Sequence, residues 1–444
     1  MRTVGLLLSA LVLATLTARG DDLRPQVDPE LPALIAIYKD LHAHPELSRH
    51  EERTSAFLAR ELRKTGFSVT EHVGKYPDGA AAFGVVAVLK NGSGPVVLVR
   101  TELDALPVEE KTGLPYASQV RTKNDAGQEV GVMHACGHDL HMTSLLGTAR
   151  MLVKLKDRWS GTLILIGQPA EETIGGAKAM LADGLYTRFP KPDLAIALHD
   201  TNDLEAGKVG VAGGPVLASA TSVTVTMRGM GGHGARPETT KDPVVMAAQL
   251  VLALQTIVSR QIAPQDPAVL TVGSIHGGSK NNIIPDEVVL QISTRSYRDE
   301  VRSTILAGIE RTARGVALAA GVPEDRAPIV EASETEYTPV TYNDPKLALR
   351  VKGALTTALG DKNVVEQKPE MVSEDFGLFG LEGRRIPITM FRLGAADPRQ
   401  LAESVRTGKP MPSLHSSIYY PQYEPAIRTG VVAMTSVVLD LMKK

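Results

Sequence analysis

The stretch Thr162-Leu163-Ile164-Leu165-Ile166-Gly167-Gln168-Pro169-Ala170-Glu171-Glu172 reads as a buried strand running into a proline-containing loop that carries two adjacent carboxylates. A short, continuous apolar run of this kind suits a strand covered on both faces, as in a parallel sheet. Helical stretches lie on either side of it, at 140–155 and near 176–181, and further β-rich segments at 83–90, 95–100 and 194–198. Nearer the N-terminus, Leu31, Leu34, Ile35, Tyr38 and Leu41 fall at helical spacing, Pro45 ends that helix, and a second runs from about 50 to 64. Strands alternating with helices of this length predict an α/β fold, a mixed and largely parallel sheet flanked by helices.

From Ser219 the pattern changes. Residues 221–227 alternate as a strand, 244–258 form an apolar helix, and two strands follow at 268–275 and 287–297. A helix over about 299–318 and a strand over about 326–334 complete the order βαββαβ, which is ferredoxin-like. The simplest organisation is a small domain, 215–335, inserted between the two parts of a larger one, 21–214 and 336–444. A chain of 444 residues is long enough for two cores.

Composition is that of an ordinary globular protein, with 43% hydrophobic and 22% charged residues. The formal charge is -2 and the basic residues form no block, which disfavours nucleic acid as a partner. Arg2, the apolar run 4–16 and the small and polar residues up to Asp21-Asp22 follow the order of a secretory signal peptide, expected to span 1–20, with an uncleaved anchor as the alternative. The protein is then expected to be exported, periplasmic or secreted, with no stable membrane association after cleavage. Its one cysteine, Cys136, allows no intrachain disulfide, so an exported chain must bury this thiol or use it.

Three histidines and that cysteine crowd into His134-Ala135-Cys136-Gly137-His138-Asp139-Leu140-His141, directly before a helix. If the segment is extended, residues two apart point the same way, so Cys136 and His138 converge on one ion. Thiolate and imidazole suit zinc, and imidazole also suits manganese, cobalt or nickel. Glu171 and Glu172 fall beyond the carboxyl end of a strand, where ligands sit in open α/β sheets. Two neighbouring glutamates can divide the work of metal hydrolysis, one as ligand and one as proton carrier. Leu198-His199-Asp200 follows another apolar strand, Ser413-Leu414-His415-Ser416 offers a further histidine, and the strand before Thr101-Glu102-Leu103-Asp104 ends in carboxylates.

With these residues in hand, the chain resembles the metal-dependent amidohydrolase and peptidase family of hippurate hydrolases, N-acyl-amino-acid amidohydrolases and auxin–amino acid conjugate hydrolases. The resemblance is carried by 41–48 (Leu-His-Ala-His-Pro-Glu-Leu-Ser), Asp104-Ala105-Leu106-Pro107, His134 to Asp139, and Gln168 to Glu172. Gly231 to Pro237, Asn282-Ile283-Ile284-Pro285 and Ser373-Glu374-Asp375-Phe376 add to it. It implies a zinc-peptidase-like main domain with the inserted domain as lid and dimerisation unit. It also implies Cys136, His138, Glu172, His199 and His415 as ligands of two divalent ions (Mn or Zn, with Co or Ni as further options), Glu171 as general base, and Asp104 as a supporting aspartate. His233 corresponds to a histidine that steadies the oxyanion, often from a partner subunit, which implies a homodimer. Asn282 corresponds to a substrate-contacting asparagine, and Arg295 is a weaker candidate for holding a substrate carboxylate. One departure is Glu102, where many relatives have aspartate, and it is left out of the ligand set.

The expected substrates are small N-acyl amino acids, hippurate-like or related conjugates. A dipeptidase or N-acetyl deacetylase is the close alternative. Two other classes fit parts of the pattern: a cysteine hydrolase with Cys136 as nucleophile and His138 or His141 as base, and a two-domain binding protein that closes on a ligand without turnover.

Overall fold

Eight strands form the central sheet, in the spatial order Ser68–Lys75, Ala81–Asn91, Gly161–Gln168, Val96–Glu102, Leu194–Glu205, Ile388–Ala396, Val209–Val211 and Val364–Glu366. The structure is a computed structural model that describes residues 22–381 and 384–444; the predicted signal segment, 1–20, lies outside them. The four strands from Gly161–Gln168 to Ile388–Ala396 run parallel, and the sheet is extended antiparallel at both flanks. The predicted mixed, largely parallel sheet is therefore present. Its middle is covered on both faces: all nine residues of Ile388–Ala396 are buried, as are six of the seven in Val96–Glu102.

On one face pack the helices Leu31–Ala43, His138–Lys154 and Tyr423–Leu441. The last two approach closely because glycines stand at their crossing. A Cβ on Gly147 would lie 2.4 Å from Val431 Cγ2, and one on Gly430 would lie 2.5 Å from Ser144 Oγ. The other face is covered by Gly176–Ala182 and by Phe376 and Phe379. Burial of each such large side chain contributes roughly 1.5–3 kcal/mol.

A second, four-stranded sheet has the spatial order Ala268–His276, Glu287–Ser296, Ser219–Arg228, Ile329–Thr338, with every neighbour antiparallel. With helices Pro243–Gln261 and Asp299–Ala319 it follows the predicted βαββαβ order. Its apolar cluster, including Val223, Val225, Leu250, Leu254, Leu290 and Ile305, is separate from those of the main sheet. The last strand starts at Ile329, later than the sequence pattern suggested, because Glu324–Arg326 closes a 3-10 turn after Pro323.

Helix Pro243–Gln261 begins at an aspartate cap, Asp242 accepting from Val244 N at 2.8 Å, with proline in its first turn. By length and composition alone it could cross a membrane. Its stripe of Met246, Leu250, Leu254 and Ile257 is instead buried in the second core, while Val245 and Leu252 remain exposed.

Candidate active site

The carboxyl ends of Val96–Glu102 and Gly161–Gln168, together with Leu194–Glu205, deliver the predicted residues to one cavity of about 700 Å³. Cys136, Glu171, Glu172, His199 and His415 line it, with Arg295 from the four-stranded sheet. His138 and Asp104 lie beneath it, both fully buried.

Cys136 and His138 do not converge through an extended segment. Gly137 takes φ 74° and His138 opens the helix His138–Lys154, so the convergence is made by a left-handed turn at a helix start. Only glycine fits there, since a Cβ would stand 2.5 Å from Asp200 Oδ1. The glutamate pair is held by a comparable device. Ala170 and Ile174, at φ 46° and φ 58°, bracket it, and the amides of Gly175 and Gly176 both donate to Ala170 O. Positive φ at residues with a Cβ is strained backbone, kept here by the surrounding contacts. His199 lies inside its strand rather than at its end, because pairing continues to Glu205. His415, itself at φ 65°, is tied to the cysteine loop by its amide, which donates to Ala135 O at 2.8 Å.

The donor atoms stand at ligand-to-ligand distances. Cys136 Sγ is 3.2 Å from His415 Nε2 and 3.6 Å from His199 Nε2. Glu172 Oε2 is 3.6 Å from His415 Nε2, and His138 Nε2 is 3.9 Å from Glu171 Oε2 and 4.0 Å from Glu172 Oε1. Atoms bound at about 2.0–2.3 Å around one ion stand roughly 3–4 Å apart. His138 Nδ1 and His199 Nδ1 each face a backbone carbonyl at 2.8 Å, of Asp104 and Asp200. Facing an acceptor, each Nδ1 carries the proton, which leaves the Nε2 lone pair for the cluster.

Among the buried atoms that have no hydrogen-bond partner within the described residues are His138 Nε2, Asp104 Oδ1 and Glu172 Oε1. Leaving buried polar atoms unpaired is costly, and a cation between His138 Nε2 and Glu172 Oε1 would satisfy those two. The donor set therefore fits divalent metal. At His138 burial opposes the charge, but Asp104 and then Glu172 prevail and raise it to about 9, so a metal there would displace a proton. Burial, then Glu374, Glu172 and Asp375, push Glu171 well above the usual carboxylate range. Burial raises Glu172 to about 7 against the pull of His138, and drives the Cys136 thiol well up with Glu172 and Glu171 adding to the effect. Burial, His141 and Arg392 hold His199 in its neutral form. Crowded carboxylates beside His199 and His415, both pushed toward the neutral form by burial, suit a divalent cation, which binds deprotonated ligands.

His233 and Asn282 are not brought to this cavity. Both are exposed and share a different concavity on the inserted domain, beside the small strand pair Gly232–His233 and Ile283–Ile284.

Sequence reading overlooked the buried polar layer behind the cluster. Arg100 donates through Nε to Gln168 Oε1 at 2.9 Å, and through its Nη atoms to Glu102, Glu374 and Asp375. Glu102, left out of the ligand set, also faces His141 Nδ1 at 2.9 Å, and His141 Nε2 meets Asp200 Oδ1 at 3.1 Å. The matching Ser373-Glu374-Asp375-Phe376 stretch was the one available signal, and it had no role attached.

A second buried group is His42, with Asp139 Oδ2 at 2.7 Å and Glu110 Oε1 at 3.1 Å. Burial opposes its charge, but the two carboxylates prevail and raise it to about 9. A raised value makes the charged imidazole stabilising below its ordinary range, and that contribution is lost as pH rises through about 9. His42→Gln is expected to lose on the order of 2 kcal/mol in urea unfolding near pH 6, with the gap from wild type narrowing near pH 10. A gap independent of pH would show that the imidazole is not charged in the fold.

Comparison with known proteins follows the same lines. The model of Peptidase family M20/M25/M40 matches residues 98–406. The chain belongs to this family. Among its relatives is an N-acetyl-L-cysteine deacetylase of Bacillus subtilis, 37% identical over 351 residues, covering 78% of this chain and 77% of that protein. A hippurate hydrolase of Campylobacter jejuni is 36% identical over 345 residues, covering 77% and 84%. The structure of the Bacillus subtilis YXEP protein, described as a dinuclear metal binding peptidase from the M20 family, superposes with a TM-score of 0.73. It is 26% identical, and the match covers 94% of this chain and 99% of that one. As a member of peptidase family M20/M25/M40, the chain is a metal-dependent hydrolase of amide bonds.

Proposed function

We infer that this M20 enzyme is exported and hydrolyses the amide bond of N-acyl amino acids. Two divalent ions, Mn or Zn, would be held by Cys136, His138, Glu172, His199 and His415, with Glu171 as general base. The observation that carries this reading is the pair of orphaned atoms His138 Nε2 and Glu172 Oε1 meeting the Cys136 thiol and the imidazoles of His199 and His415 beside one cavity. The names of the deacetylase and hippurate hydrolase relatives support N-acyl amino acids as the substrate class. A related thermostable carboxypeptidase of Saccharolobus solfataricus, 36% identical over 370 residues, supports a peptide substrate as the second reading.

When bound, the ions supply Lewis acidity and a water acidified toward neutrality. Glu171, at the cavity wall beside that set, takes a proton from the attacking water and returns it to the leaving nitrogen as the amide C–N bond breaks. Asp104, held through Oδ2 by Ser48 Oγ at 2.6 Å and Glu172 N at 3.0 Å, fixes the floor on which His138 rests. Arg295 touches only Ser373 Oγ among the described residues and has no acidic partner, which suits a substrate carboxylate.

The decisive assay is a panel of N-acyl amino acids and dipeptides, with chelator and then with added Mn or Zn. Turnover is expected to vanish with chelator and return with metal. Full activity in chelator would instead point to Cys136 as nucleophile.

His233 would serve the oxyanion from a second copy of the chain, because in one chain it lies exposed outside the cavity. Val245 and Leu252 on helix Pro243–Gln261 offer an exposed apolar face, and the strand Ala268–His276 is an open sheet edge. Sedimentation is expected to show a homodimer, and a fully active monomer would remove this role for His233.

A further inference from the structure

Arg392 sits on the central strand Ile388–Ala396, directly in register with His199 on the neighbouring parallel strand. Residues in register project to the same face of a sheet, and both side chains line the cavity. Arg392 is only 4% exposed, yet just one of its contacts is accounted for: Nη2 donates to Glu370 Oε1 at 3.0 Å. Its Nε is buried with no partner. A guanidinium presents its N–H groups as a rigid planar fork matched to carboxylates, and Glu370 holds this one at the wall with Nε uncommitted. Arg295 enters the same cavity from the other sheet and, unlike Arg392 with its Glu370, has no acidic partner among the described residues. The cavity thus has two guanidiniums on opposite walls, where one substrate carboxylate would need only one.

We propose that Arg392 binds a second substrate carboxylate, so that the preferred substrates are N-acyl derivatives of acidic amino acids. The proposal rests on the amidohydrolase reading and specifies its substrate class. Arg295 takes one carboxylate, and the guanidinium of Arg392, held at the cavity lining by Glu370, takes the other.

The test compares kcat/KM for N-acetylglutamate and N-acetylglutamine, which differ in the side-chain acid alone. The wild-type metal-loaded enzyme is expected to favour the acid about 30-fold or more, the usual scale for a desolvated charge pair. Arg392→Met should abolish that preference through KM, its effect on N-acetylglutamine being at least about tenfold smaller, and Arg392→Lys should restore part of it. Calorimetry on metal-free protein gives an independent readout: glutamate should bind more tightly than glutamine in wild type, and equally in Arg392→Met. No preference in wild type, or equal losses on both substrates, would overturn the proposal. Absence of turnover on every N-acyl amino acid, with Arg392-dependent glutamate binding intact, would overturn the amidohydrolase reading while the carboxylate site stands.

Discussion

Glu171→Gln is expected to lower kcat by about 10³-fold or more, with metal content and unfolding midpoint close to wild type. The glutamine keeps the volume and one oxygen of the side chain but cannot accept and return a proton. Glu171 is buried and crowded by Glu374, Glu172 and Asp375, so its carboxyl binds a proton more tightly than an ordinary one. Divalent charge nearby pulls in the opposite direction. A base for water needs such an intermediate basicity near working pH. Metal content read by elemental analysis separates this role from ligation, since losing a ligand lowers occupancy as well as rate. Near-normal turnover in Glu171→Gln, or loss of metal, would remove the base assignment.

The largest effect on stability is expected at Arg100. Arg100→Met should cost on the order of 3–5 kcal/mol in denaturant unfolding, the scale for removing one partner of a buried charge group. The guanidinium is fully buried and serves three buried carboxylates, Glu102, Glu374 and Asp375. Burial alone would protonate Glu374, yet Arg100 holds it below the usual range, while burial and Glu374 push Asp375 up to about 7. A depressed carboxylate contributes stability above its ordinary range and loses it as pH falls through the depressed value. The deficit of Arg100→Met should therefore shrink in acid. A loss below about 1 kcal/mol, the level of an exposed pair, would contradict this account. Because Glu374 adjoins Glu171, activity should fall as well, and Glu374→Gln distinguishes the two effects by leaving Arg100 in place.

Much of this was legible along the chain. Apolar runs such as 162–166 and 194–198 reveal buried parallel strands because a strand covered on both faces has no polar side to show. Candidate ligands were readable because metal hydrolysis draws on few side-chain types, and several of them cluster at 134–141 and 171–172, whereas His199 and His415 stand alone in the sequence. The strand Ile388–Ala396 was harder to find, since Arg392 interrupts its apolar run and its partners lie far away in sequence.

The sequence by itself therefore determined the alternation of strands and helices and the βαββαβ order, for which local periodicity suffices, while the proposed ligand set came from the family resemblance. The tertiary structure alone decided how the ligands converge. Gly137 turns left-handed against Asp200, backbone carbonyls orient the rings of His138 and His199, and His415 arrives from a loop hydrogen-bonded to Ala135. It also decided that Arg100 and Glu102 belong to a supporting layer, and that Arg392 stands beside His199 with a donor unspent. Such facts depend on which distant side chains share a buried volume, and a linear pattern of polar residues carries no record of that.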